Sequence, residues 1–352
     1  MFPRLMVDTE KYRHNVRMMK DMCAEHGISL TAVTKVFCAV EPLVRILNEE
    51  NVHSIGDSRL ENLRTMDTPL PRMLLRLPSV HETDEVVQYA DYSLNSEMKT
   101  IEALNASAER HQKDHGIVLM IDIGDLREGV YYKEDIPSIA ERIESLKHVH
   151  LKGLGTNVTC YGGVIPSIET LMKFVDLSKA VEHTLGRDLE IFSGGNSSHI
   201  PLLEQGVRVE KINNLRIGEA IALGRETAYG ERIERLFDDV FTLEADIIEL
   251  KEKPSIPEGE IGMDAFGNEP SFTDKGIRRR AILAVGKQDV YHEDLVPEDA
   301  NVELLGSSSD HVIADVHDSQ RTYEVGDTMT FRLTYGSLLS LMTSPYVVKE
   351  YV

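Results

Sequence analysis

Short apolar runs alternate with longer stretches of helical period from residue 30 to about residue 216, and this alternation narrows the fold more than any other feature of the chain. The runs fall at 30–34, 52–55, 73–77, 92–94, 117–122, 150–155, 189–193 and 212–216. Between them lie amphipathic segments at 41–49, 85–90, 99–113, 136–146, 168–185 and 201–205. Strand-then-helix repetition predicts parallel pairing with right-handed crossovers. Eight such units in about 220 residues fit a (β/α)8 TIM-like barrel of the α/β class. An open doubly wound sheet is the competing arrangement. Four polar clusters close strands one, five, seven and eight, and in a barrel all four face one mouth. After Gly230 the helices give way to short apolar runs at 240–250, 280–285, 301–305, 311–316 and 329–334, with turn signals at Pro254, Gly286, Gly306 and Gly326-Asp327. The expected division is therefore a barrel over 1–229 and a mainly-β domain over 230–352.

The four clusters suggest one site. Lys35 closes the first strand, Arg127 lies in IDIGDLREGV, the loop Ser193-Gly194-Gly195-Asn196-Ser197-Ser198 follows the seventh, and Arg216-Ile217-Gly218 closes the eighth. A lysine amine is nucleophilic only when neutral, and a desolvated barrel mouth favours that form. Such a lysine can form a Schiff base with pyridoxal phosphate. Glycines let backbone N–H groups approach an anion, and barrels usually hold phosphate at the loops after strands seven and eight. Arg216, always protonated, would disfavour protonation of a pyridine nitrogen set against it. That suits a reaction that only removes and returns an α-proton. The Arg127 guanidinium is shaped to grip a carboxylate by two parallel hydrogen bonds. Taken singly, each has an ordinary reading: a solvated strand end, a Gly/Ser turn, or an ion pair of Arg127 with Asp125 or Glu128.

Composition bounds the rest. The chain has 352 residues and 41% hydrophobic content, enough for a large core. Its net charge of -21 argues against a nucleic-acid partner. It permits a cationic small substrate without showing one, and solubility is the favoured explanation of the charge. No run approaches the ~18–20 apolar residues of a membrane span, and no secretory signal is visible at the N-terminus. Cys23, Cys38 and Cys160 show no CxxC spacing, which suggests reduced thiols in a cytoplasm. His148-Val149-His150 alternates along a strand with no third ligand evident, so no metal is expected.

In this order, TKVFCA, IDIGDLREGV, GGNSSH, RIGEAIALG, GKQDV and SSDHVIAD resemble the alanine racemase-type, fold-type III family of pyridoxal phosphate enzymes, most of all its ornithine or alanine/ornithine racemase branch. The resemblance spans nearly the whole chain. It implies that Lys35 forms the Schiff base and acts as one of two α-proton bases, and that Arg216 faces the pyridine nitrogen. Ser193, Gly195, Asn196, Ser197 and the Gly218 backbone fall where the family holds the phosphate, with Tyr335 as a further phosphate contact. Arg127 falls near the substrate carboxylate. It also implies a head-to-tail homodimer in which the C-terminal domain completes the partner subunit's site.

Three positions depart from the family pattern. Ala39 stands where a tyrosine is usual. Thr156-Asn157 stands where a histidine often stacks on the ring, so Asn157 is the candidate cofactor contact there. The tyrosine that serves as second base aligns with Phe266, which has no proton to move. Asp264, Asp310, His311 and Tyr291 are the alternatives, with Asp264 and His311 slightly favoured, although for each a surface or loop-capping role outweighs catalysis. The implied activity is two-base racemisation of an amino acid, ornithine first. The other expectations are a fold-type III decarboxylase or aldolase-like lyase, and a non-catalytic pyridoxal phosphate homeostasis protein.

Overall fold

A computed structural model of the chain describes residues 3–264, 266–267 and 269–352. It forms two compact units, Thr9–Asp238 and, separately, the residues up to Asp8 together with Asp239–Val352. The division thus falls somewhat beyond residue 229. The first strand, β1 (Arg4–Val7), belongs to the second unit, which the sequence reading did not foresee.

The first unit opens with α1 (Thr9–Glu25), β2 (Ser29–Val33), α2 (Glu41–Glu49), β3 (Ser54–Asp57), α3 (Leu60–Thr65) and β4 (Arg72–Leu74). It continues through α4 (Thr83–Tyr89), β5 (Tyr92–Asn95), α5 (Met98–His111), β6 (His115–Asp122), β7 (Val130–Tyr131) and α6 (Ile136–Glu144). It closes with β8 (Val149–Thr156), α7 (Ile168–Leu185), β9 (Ile191–Ser193), α8 (Ile200–Glu204), β10 (Asn214–Ile217) and α9 (Glu219–Leu223). The parallel strands pair in the order β5-β4-β3-β2-β10-β9-β8-β6, and pairing of β5 with β6 closes the ring. β7 adds to β6 outside it. The fold is the expected (β/α)8 barrel, and each of the eight anticipated strands overlaps one of its staves.

Local sequence accounts for these elements. In α2 the buried residues are Leu43, Val44, Ile46 and Leu47, one apolar stripe, and proline stands in the first turn where its missing N–H is harmless. Ser167 caps α7 by accepting from Thr170 N, and Gly186 ends it at φ 65°. β6 is buried along all eight residues, as a strand covered on both faces must be. The helix α1 was not anticipated. Its buried residues Tyr12, Asn15, Val16, Met19, Met22 and Cys23 keep helical spacing, but polar neighbours mask the stripe.

Two kinds of side chain fill the lumen. A β-carbon on Gly155 would stand 2.8 Å from Met120 Sδ, 3.3 Å from Val118 Cγ1 and 3.6 Å from Arg216 Nη1, so side chains from β6 and β10 meet across the ring. Met73, Leu94, Val118 and Met120 form an apolar cluster with Leu75, Tyr92 and Ile191. Thr31, Ser54, Ser193, Asn214 and Arg216 form a polar one.

The second unit contains β11 (Phe241–Pro254), β12 (Ile277–Leu283), β13 (Leu295–Pro297), β14 (Glu303–Ser307), β15 (Val312–Asp315), β16 (Thr328–Leu333), α10 (Tyr335–Thr343) and β17 (Val348–Tyr351). Its sheet runs β13-β16-β11-β12-β15-β14, all antiparallel, and β1 joins β11 antiparallel and β17 parallel. Phe241, Leu243, Ala245 and Ile247 alternate inward along β11. This is the expected mainly-β domain.

Candidate active site

Lys35 follows β2 in a single 3-10 turn, Lys35–Phe37, which ends in two left-handed residues, Cys38 (φ 54°) and Ala39 (φ 47°). Left-handed non-glycine residues cost on the order of 1–2 kcal/mol each, so the surroundings must enforce this turn. The preceding residue is anchored firmly. Thr34 N donates to Gly56 O at 3.0 Å, and Thr34 Oγ1 donates to Asp57 Oδ2 at 2.6 Å. Asp57, fully buried, also accepts from Arg59 N at 2.8 Å and Asn62 Nδ2 at 3.1 Å. Burial pushes its carboxyl up, and these hydrogen bonds oppose the rise.

The Lys35 side chain is open to solvent at the mouth, yet its ammonium is recessed among neighbouring groups. Its pKa is held below that of an ordinary lysine, first by desolvation and then by the like charge of Arg127, while Cys160, Asp57 and Glu128 pull the other way. A lysine so placed is closer to its nucleophilic form. Glu219, at the start of α9, also feels the Lys35 charge. Burial and then Glu226 push its carboxyl up to about 7, against Lys35 and Arg225.

Arg216 is 6% exposed. Its Nη1 donates to Ser193 Oγ and its Nη2 to Thr156 O at 2.9 Å, which leaves further N–H donors for a ligand. Burial pushes the guanidinium pKa down to about 10, with Glu128 opposing. Arg127 makes a bidentate ion pair with Glu128 through Nε and Nη2, so its Nη1 is the arm left to meet a carboxylate. The ion pair anticipated as the ordinary alternative is therefore present, and the charge of Arg127 still reaches Lys35, Cys160 and Arg216.

The loop after β8 is tied to the same mouth. Asp125 accepts from Thr159 N (3.0 Å), Cys160 N (3.2 Å), Tyr161 N (3.0 Å) and Val164 N (3.0 Å). Burial alone would raise its pKa, but these backbone donors carry it below the usual carboxylate value. Asn157 Nδ2 donates to Cys160 Sγ at 3.0 Å, and Asn157 Oδ1 accepts from Asn196 Nδ2 at 2.9 Å.

Lys35, Arg127, Asn157, Ser193, Gly195, Asn196, Ser197, Arg216 and Gly218 all belong to the barrel unit, at or just beyond strand ends. Their side chains are not all free for a ligand. The Ser193 hydroxyl is committed to Arg216 and to Asn214, and the Asn196 amide to Asn157, Val158 O and Ser198 N, so both shape the site through protein partners. Ser197 Oγ accepts from Ala220 N at 3.3 Å. Gly218 packs against β2, and a β-carbon there would come within 3.0 Å of Val33 Cβ. Gly195 has φ 129° and nothing within 4 Å of where a β-carbon would stand.

The remaining candidates lie in the second unit. Asp264 Oδ1 accepts from Phe266 N at 2.8 Å, and Lys287 Nζ lies 4.1 Å from the Phe266 ring centroid. Asp310 and His311 occupy an exposed turn in which His311 N donates to Ser308 Oγ at 3.2 Å. Tyr335 begins α10, capped by Thr334 and Ser337. Among the described residues no group of three His, Cys, Asp or Glu side chains is arranged to hold a metal.

The sequence reading missed Thr34, Asp57, Asn214 and the bonding role of Asp125. Asn214 could have been found, because a strand residue two places before Arg216 faces the same way. Asp57 carried no comparable signal.

The alanine racemase N-terminal domain matches residues 7–225. The chain is 47% identical over 351 residues to ornithine racemase from Acetoanaerobium sticklandii, covering 99% of each, and 39% identical over 353 residues to lysine racemase from Thermotoga maritima, covering 99% of this chain and 98% of that one. The chain belongs to the alanine racemase family. It is an amino-acid racemase, an isomerase. The alanine racemase of Bartonella henselae with covalently bound pyridoxal phosphate shares its fold, with a TM-score of 0.75 at 15% identity and full coverage of both chains.

Proposed function

We propose that this racemase uses pyridoxal phosphate on Lys35 to interconvert L- and D-ornithine. The observation that carries the reading is Lys35 itself, recessed in a barrel mouth beside Arg127, with its pKa held down by desolvation and by that cation. The mouth also suits the cofactor. Ser198 Oγ and Thr156 Oγ1 are buried and without hydrogen-bond partners, Gly195 opens onto space, and Arg216 holds spare donors. When bound, the cofactor supplies an electron-withdrawing ring that makes the α-proton of an amino acid acidic.

The chain's own groups do the rest. Gly195, Ser197, Ser198 and the Gly218 backbone would hold the phosphate, and Asn157 would contact the ring. Arg216 would set a positive charge against the pyridine nitrogen and disfavour its protonation. Arg127 Nη1 takes the substrate carboxylate while Glu128 steadies the other edge of the guanidinium. Lys35 removes the α-proton on one face as the neutral amine, and in the reverse direction returns it as the ammonium. The opposite face needs a second base, drawn from Asp264, Asp310 or His311 of a partner subunit in a head-to-tail homodimer, with Tyr335 adding a phosphate contact. Ornithine is favoured because of the 47% identity to an ornithine racemase, and the net charge of -21 suits a substrate with a second ammonium. The sparse cysteines, which show no CxxC spacing, support a cytoplasmic location for the enzyme. No described helix is long and apolar enough to cross a membrane.

The test is racemisation of L-ornithine in deuterated water by the purified enzyme with pyridoxal phosphate, beside lysine, alanine and serine. Inversion with deuterium at the α-carbon and no loss of carbon dioxide or side chain is expected. Turnover of alanine in preference to ornithine would overturn the substrate, and release of carbon dioxide would overturn the reaction.

A further inference from the structure

Below Arg216 the lumen carries an unbroken chain of buried polar side chains. Arg216 Nη1 donates to Ser193 Oγ, Ser193 Oγ donates to Asn214 Oδ1 at 2.6 Å, Asn214 Nδ2 donates to Thr31 Oγ1 at 2.9 Å, and Thr31 Oγ1 meets Ser54 Oγ at 2.8 Å. These five residues come from β10, β9, β2 and β3, and none is more than 6% exposed. The guanidinium fixes the direction of every bond. It has donors only, so Ser193 must accept from it and donate onward. The Asn214 carbonyl takes that hydrogen, its amide donates to Thr31, and Thr31, having accepted, donates to Ser54. The amide cannot turn over, because Asn214 Nδ2 also donates to Ser29 O at 3.3 Å and to Ser29 Oγ at 3.2 Å, whose own hydrogen goes to Asn213 O at 2.8 Å.

The consequence is electrostatic. Among the described residues the Arg216 guanidinium donates to neutral oxygens, Ser193 Oγ and Thr156 O. Glu128, the carboxylate whose charge reaches it, is already paired with Arg127. A buried cation with no carboxylate of its own depends on dipoles oriented toward it. In this chain every hydroxyl and amide presents its negative end to the side of Arg216.

We propose that Asn214 is a positioning residue for Arg216: backed by Thr31 and Ser54, it locks Ser193 as an acceptor and so holds Arg216 cationic and aimed into the mouth. The functional consequence rests on the proposed cofactor site, in which Arg216 faces the pyridine nitrogen. The positioning itself can be read without cofactor.

The first measurement labels the apoprotein with phenylglyoxal, which attacks the neutral guanidine, and maps Arg216 by peptide mass spectrometry. Asn214→Leu should speed labelling of Arg216 about 10-fold, the worth of one hydrogen bond to a charged group, and leave Arg127 unchanged. Thr31→Val, one link further away, should give a smaller increase. In the cofactor-loaded enzyme Asn214→Leu should move the pH midpoint of the cofactor absorbance and lower kcat about 10-fold with KM within about 2-fold, a split that general loosening would not produce. Native-like labelling of Arg216 in a folded Asn214→Leu apoprotein would overturn the proposal. If that variant does not fold, Thr31→Val keeps the side-chain shape and carries the same comparison. If the native protein takes up no cofactor at Lys35, the cofactor reading falls, while the labelling still decides the role of Asn214.

Discussion

The two halves of the barrel lumen are made of different chemistry on the same parallel scaffold. On β4, β5 and β6 the inward side chains are Met73, Leu94, Val118 and Met120, each at most 2% exposed. On β2, β3, β9 and β10 they are Thr31, Ser54, Ser193, Asn214 and Arg216. The apolar half stabilises by burial, at roughly 25 cal/mol per Å². The polar half adds little net stability, because each internal hydrogen bond replaces one made with water. What it adds is direction, since a methyl group packs in many orientations and an amide between a serine and a threonine does not. The reactive groups stand at the mouth above the polar half: Lys35 beyond β2, and Arg216 at the end of β10.

That contrast breaks most readily at Lys35. Lys35→Ala should lower racemisation by at least about 10³-fold, as loss of a covalent and proton-transferring group does, while the urea midpoint stays near that of the native protein. Chiral chromatography of the product measures the first and denaturation the second. Retained turnover would remove Lys35 from the site altogether.

The apolar half should respond in the opposite sense. Leu94→Ala is expected to destabilise the barrel by about 4 kcal/mol through lost transfer energy and the cavity left behind, with kcat of the folded enzyme within about 3-fold. Urea denaturation and steady-state kinetics read the two effects. A variant that keeps its stability and loses its turnover would dissolve the distinction between the halves.

Each half also has a buried histidine near it, and the two should make stability depend on pH alike. His115 begins β6 and bonds Ser93 Oγ at 2.7 Å, and His199 lies in the turn after β9. Burial pushes both imidazoles down from 6.5 to about 4. The unfolded chain therefore binds more protons between those values. Stability is full above about 6.5 and should fall as the pH drops toward 4, by on the order of 2–3 kcal/mol for each histidine. His115→Gln and His199→Gln should each flatten that slope by a similar amount in denaturation series from pH 7 to about 4. A slope unchanged by both would mean that neither imidazole is neutral in the folded state.

The apolar half was easier to read from sequence than the polar one, for a physical reason. Runs such as 117–122 announce a buried strand by hydrophobicity alone, and all eight staves were legible in that way. The charged ends, Lys35, Arg127 and Arg216, were legible only as a set, because each alone reads as an ordinary strand end or ion pair and together they fall at one mouth. Asn214, Thr31 and Ser54 were not, since small polar residues in short strands look like strand ends and turns until their partners across the ring are known. Asp57 was hidden for a related reason: Arg59 and Asn62 follow it closely in sequence, but Thr34, the partner that ties it to the Lys35 turn, stands 23 positions earlier and meets it only through the pairing of β2 with β3. Likewise β1 gave no sign that it would pair with β11, more than 230 residues away.

The smallest expected effect tests the seam between the halves. A β-carbon at Gly155 would press on Met120 Sδ from 2.8 Å and on Val118 Cγ1 from 3.3 Å, and would lie 3.6 Å from Arg216 Nη1. Met120 is a flexible thioether and can turn aside, whereas Arg216 is pinned through Ser193 and Asn214. The strain should therefore go into the apolar side. Gly155→Ala is expected to lose about 1 kcal/mol of stability with kcat within about 2-fold. If the polar half were the softer of the two, Arg216 would shift instead. The variant would then keep its stability and lose turnover, together with a displaced absorbance midpoint of the bound cofactor.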